Sequence, residues 1–136
     1  MKFRDIEEAY EFVSFGSFGE HEALLDRKTG QVYCRSDLGD LDEITEELWE
    51  SDDTVKIPDR NDLDLGRRLV FRFAGECCPD DYDCVREFFS RRGAYARFKD
   101  FLEQKDLVQA WHDFEANATE EALRQWCQDN GIELAD

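Results

Sequence analysis

The chain has 136 residues, with 17 basic against 34 acidic side chains for a formal charge of −17, and a mean hydropathy of −0.71. Such charge alone would suit a disordered chain, but 11 Phe, 4 Tyr and 3 Trp recur at core spacings, and the length suits one folded domain. No apolar run exceeds three residues, and Asp5, Glu7, Glu8 and Glu11 fill the place of a secretory apolar region, so neither a membrane span nor a signal peptide is expected, and the chain reads as cytoplasmic.

Phe3, Ile6, Tyr10 and Val13 recur at helical spacing between acidic residues, which predicts an amphipathic helix over 4–14. The stretch from Ser14 to Gly19 reads as a glycine-punctuated loop. His21 to Leu25 and Gln31 to Cys34 then flank a polar connection ending in Gly30, a hairpin signal. Thr54 to Ile57 alternates with period two and stops at Pro58, which suggests a third antiparallel strand, since two strands alone are marginal. Between these lies the most acidic stretch: residues 37–64 hold 12 acids against Lys56 and Arg60. Leu41, Ile44 and Leu48 share a helical face there, and Asp40 with Glu43 three residues later resembles a capping box, predicting a short helix over about 41–50.

Helical periods dominate from Asn61. Leu65, Leu69 and Phe73 suggest a helix ending near Gly75. Pro79 suits a first helical position with Asp80 and Asp81 in the first turn, and Tyr82, Val85 and Phe89 form its stripe up to Gly93. Tyr95, Phe98 and Leu102 predict the next helix, and Leu107, Trp111 and Phe114 another. A final helix is expected from about Asn117 or Thr119, with Leu123, Trp126 and Cys127 inward and a left-handed cap at Gly131 followed by Ile132. The expected fold is α+β: an N-terminal helix and a two- or three-stranded antiparallel sheet packed against a C-terminal bundle of about five helices. It is read as one domain over 1–136, with helix, sheet and acidic insertion in 1–58 and helices in 59–136.

Cys34, Cys77, Cys78, Cys84 and Cys127 are an odd number without an export signal, so reduced thiols are expected, with Cys84 and Cys127 as small core residues. The spacing lacks paired C-x2-C or Cys/His ligands, with His21 and His112 distant, so neither zinc nor any other cofactor is expected.

The segments HEALLDRKTGQVY (21–33), LDLGRRLVFRF (63–73), DYDCVREFFSRRGAYARFKDFL (81–102), AWHDFE (110–115) and ALRQWCQDNGI (122–132) together resemble a bacterial family of small acidic proteins, uncharacterised protein family 0158. The resemblance covers nearly the whole chain, weakest over 37–53. It implies a bacterial, cytoplasmic, stand-alone domain and carries no catalytic residues over. His112 stands where members of that family usually have Tyr, which counts against His112 as a ligand or base.

Motifs for chemistry are missing. Gly16 and Gly19 lack the lysine and spacing of a phosphate loop, Gly16-Ser17 is no nucleophile elbow, and His21-Glu22 is followed by Leu25 where a second zinc-binding His would stand. Charge is the remaining clue. Residues 67–99 carry eight bases against five acids, whereas 100–136 carry two against ten. Arg91, Arg92, Arg97 and Lys99 with Tyr95 could form a patch for phosphate or an acidic protein, or else pair with the chain's own carboxylates.

The reading is a non-enzymatic protein-interaction or regulatory module. Leu41, Ile44, Leu48 and Trp49 form a stripe that either docks a partner or completes the domain's own core. The alternatives are RNA binding through the patch Arg91, Arg92, Tyr95, Arg97 and Lys99, mimicry of nucleic acid by the acidic face, and an uncharacterised enzyme. The expected partner is a protein, with nucleic acid second and no membrane.

Overall fold

The computed structural model describes residues 1–15, 21–36 and 41–135. The expected loop at Gly16 to Gly19 and the expected cap at Asp40 lie outside these residues. The fold is α+β, as the sequence indicates: helix α1 (Phe3–Ser14), strands β1 (His21–Asp26) and β2 (Val32–Ser36), a short helix α2 (Glu46–Glu50), strand β3 (Thr54–Lys56), then α3 (Arg67–Cys77), a 3-10 turn (Pro79–Asp81), α4 (Tyr82–Phe88), α5 (Ala94–Gln104) and α6 (Val108–Asp129). No described helix is long and apolar enough to cross a membrane. The chain divides into two compact units, Met1–Leu63 with Glu120–Asp136, and Asp64–Thr119.

The first unit is built on an antiparallel sheet of order β2-β1-β3. Ala23, Leu24 and Leu25 are buried in succession, which requires cover on both faces of β1 and explains why this central strand shows an apolar run instead of alternation. The hairpin closes because the Asp26 carboxylate accepts from the amides of Lys28 and Thr29 at 2.9 and 3.3 Å, and Gly30 adopts φ +77°, a left-handed conformation that glycine takes without steric cost. Helix α1 buries Phe3, Ile6, Ala9, Tyr10 and Val13 on one face. In the second half of α6, Leu123 and Cys127 are buried, and the Arg124 guanidinium lies 4.4 Å from the centre of the Phe3 ring. The helix ends in a double turn: Ile132 N–H donates to Cys127 O at 2.8 Å and Gly131 N–H to Gln128 O at 3.2 Å, with Gly131 at φ +68°.

The second unit is a cluster of rings on α3, α4, α5 and the start of α6. Phe73 is fully buried and meets Phe98, Trp111 and Phe114 edge-on at 5.3–6.4 Å, while Phe89 contacts Phe71, Tyr95 and Phe98. Val70, Val85, Phe101 and Leu102 complete this core.

Several local expectations are corrected. The acidic helix is Glu46–Glu50 and not 41–50: Thr45 caps it, its hydroxyl accepting from Leu48 N–H at 3.3 Å, while residues 41–43 run extended beside β2. Helix α3 passes through Gly75 to Cys77, and α4 stops at Phe88, ahead of Gly93. The two helices expected over 107–129 are one, because no Gly or Pro interrupts 108–129. Cys84 is exposed, not a core residue; Cys127 is buried.

Candidate functional site

Strand β2 is a sheet edge, and among the described residues the first unit leaves a groove beside it. Side chains alternate across a strand, so Val32 and Cys34, opposite Leu25 and Ala23 in the register, share the face of β1 on which His21 meets α1. The His21 ring packs against Phe12 at 4.9 Å and Phe15 at 5.7 Å. A helix is about 10 Å across and cannot roof three strands with their side chains. A groove of about 430 Å3 is left between α1 and β2. Ala9, Phe12, Val32, Cys34 and Leu41 supply its apolar lining; Asp5 and Glu8 from α1, and Glu43, supply carboxylates. Glu8 pairs with the exposed Arg4 at 3.1 Å, a weak surface contact. No ion pair to Asp5 or Glu43 occurs among the described residues.

Residues 41–43 close only part of the edge. Ser36 N–H donates to Leu41 O and Glu43 N–H to Cys34 O, both at 2.9 Å, and Arg35 bridges to Asp42. The Cys34 N–H is met by a side chain instead, donating to Glu43 Oε1 at 2.9 Å. Burial, and then the Glu43 carboxylate, pushes the Cys34 thiol above its ordinary value, so it stays protonated near neutrality and is a poor nucleophile. Burial does the same to Cys78, with Asp81 and Cys77 adding to the rise and Lys105 opposing it.

The stripe named from the sequence is divided. Leu41 is 40% exposed and lines the groove, Ile44 is core at 7%, and Leu48 is half-buried. Trp49, 41% exposed, lies under the Arg35 guanidinium at 5.7 Å. Arg35 also pairs with Glu22 directly across the sheet, on the face opposite Cys34. Leu41 and Trp49 therefore belong to different surfaces, because the helix that would have aligned them does not extend that far.

In the second unit, Arg91 pairs with Glu87 at 3.8 Å and Arg97 donates to the Arg92 carbonyl. Arg92 and Lys99 are exposed with no ion pair among the described residues, and Tyr95 stands edge-on to Phe89 at 5.0 Å. Arg86 is held over Phe71 and Tyr82 and donates to the Tyr82 hydroxyl at 3.2 Å, and Arg72 lies over Phe114.

Sequence reasoning missed Asp5, Glu8, Phe12, Val32 and Glu43 as groove residues. Phe12 carried a signal: it is a large apolar side chain off the Phe3, Ile6, Tyr10 and Val13 stripe. Among the described residues no three His, Cys, Asp or Glu side chains are grouped to hold a metal ion. Each of the three comparisons with known proteins gives the same result: no family model, no curated protein and no solved structure matches the chain.

Proposed function

We propose that the protein is a non-enzymatic interaction module whose α1–β2 groove receives a basic, apolar-bearing segment of a partner protein. The observation that carries this reading is the coincidence of an apolar lining with three carboxylates in a groove of about 430 Å3 that the described residues leave open. Apolar contact supplies affinity, and complementary charge supplies steering and selectivity against acidic segments. The unit that holds the groove has 8 basic against 23 acidic side chains, a balance of −15, so its field favours a cationic partner and disfavours nucleic acid. The family resemblance assigns no site residues, and the reading stands on the groove alone.

Calorimetric titration tests it with two synthetic heptapeptides, one alternating Lys and Val and one alternating Glu and Val. The Lys peptide should bind more weakly as salt rises, the Glu peptide should not bind, and Leu41→Ser, which removes apolar contact and adds no charge, should weaken the Lys peptide at least fivefold without lowering the melting temperature. Equal binding of both peptides, or of neither, contradicts the reading.

A further inference from the structure

The backbone of β2 suggests how the groove holds a partner. Ile57 N–H donates to Ala23 O, so Ala23 and Leu25 point their backbone groups at β3, while Glu22 and Leu24 point theirs at β2. Their partners Arg35 and Tyr33 therefore spend their backbone groups inside the sheet, and Val32, Cys34 and Ser36 turn theirs outward. Residues 41–43 take up the Cys34 carbonyl and the Ser36 amide and go no further. At Val32 the outward amide meets no partner among the described residues, and the carbonyl has only the Gln31 side-chain amide at 3.3 Å. Val32 is half-buried and lines the groove, and its open backbone groups lie in the sheet plane along the edge that borders it.

Resting on the reading above, we infer that the partner segment docks as an added β-strand, laddered to the backbone of Val32 and continuing the line of residues 41–43. The Glu43 carboxylate sits on the Cys34 amide where a strand's next carbonyl would sit, and it caps the edge while the groove is empty. In strand addition the backbone ladder fixes the segment and alternate side chains choose it. Here the set on the α1 side faces Phe12, Val32 and Leu41 with Asp5 and Glu8 beside them, and the lysines of the other set, on the far face, answer to the unit's balance of −15. A helical segment would leave the Val32 amide and carbonyl unmet.

The test uses the alternating Lys/Val heptapeptide, the same peptide methylated on the three central backbone nitrogens, and a Lys/Leu peptide patterned as an amphipathic helix. The expected result is at least tenfold slower hydrogen exchange of the Val32 amide at saturation, and at least tenfold weaker binding of the methylated peptide. Equal binding of the methylated peptide with an unprotected Val32 amide, or tighter binding of the helical peptide, overturns strand addition and leaves the groove reading standing. No binding by any of the three overturns both.

Discussion

The two units solve the problem of holding together in different ways. The unit Asp64–Thr119 has 9 basic against 11 acidic side chains and coheres through rings, with Phe73, Phe89 and Phe98 each in contact with several others. The sheet unit carries a balance of −15 around a mainly aliphatic core that includes Ile6, Leu24, Leu25, Ile57 and Leu123, and its loops are fastened by directed polar contacts. Arg27 is the main example. Its guanidinium donates to the backbone carbonyls of Asp52, Asp53 and Asn130, tying the hairpin turn to the residues before β3 and to the end of α6. The contrast teaches where a partner would find purchase. Ring-to-ring packing consumes its own apolar surface, whereas an acidic sheet with one helix on its face leaves an edge and a groove.

The contrast breaks first at Phe73. Phe73→Ala should cost about 3–5 kcal/mol in denaturant unfolding, since the ring is fully buried among three others. Arg27→Ala should cost less, about 1–2 kcal/mol, because the side chain is exposed, yet its effect should appear as faster amide exchange in β1 and β3. If Arg27→Ala costs as much as Phe73→Ala, the sheet unit is held differently from this account.

A matched pair of helix ends sharpens the comparison at a smaller scale. Helix α5 ends in the same double turn as α6, with Leu107 N–H donating to Leu102 O at 2.8 Å and Asp106 N–H to Glu103 O at 3.4 Å, but the left-handed residue is Asp106 at φ +58° where α6 has Gly131. Gly131→Ala should destabilise by about 1 kcal/mol, a purely conformational cost because nothing lies within 4 Å of the added methyl, while Asp106→Gly should stabilise by up to about 1 kcal/mol. Thermal melts of the two variants should therefore move in opposite directions.

The smallest effect is with pH. The Cys34 and Cys78 thiols have raised pKa values in the folded state, so the native protein holds these protons more tightly than the unfolded chain does. Their contribution to stability is full below the ordinary thiol range and is lost as pH rises from about 8.5 through the raised folded values. Substituting both by Ala should flatten the alkaline fall in melting temperature, and an unchanged slope would show that other groups cause it.

Much of the fold was legible because its signals are local. The α1 stripe, the Gly30 hairpin and the Gly131 cap each announce themselves within a few residues. The end of α5 was harder to see, since Asp106 does the work of a glycine without looking like one. The acidic segment misled for a different reason. Leu41, Ile44 and Leu48 do keep a helical spacing, but Thr45 competes as a cap and the backbone of residues 41–43 finds hydrogen-bond partners on β2, which local periodicity does not encode. Of the site, only Leu41 was named in advance. Groove residues come from α1, β2 and residues 41–43, and they come together only when the sheet is assembled, which no local pattern encodes.

On the proposed reading the acidic sheet unit, and not the aromatic helical one, presents the working surface. Amide chemical-shift mapping of the full chain with the alternating Lys/Val heptapeptide, at low and at physiological salt, tests it most directly. The expected result is saturable shifts confined to α1, β2 and residues 41–43 that weaken with salt; shifts centred on Arg91, Arg92 and Lys99, or a chain that does not respond at low salt, would overturn the proposed reading.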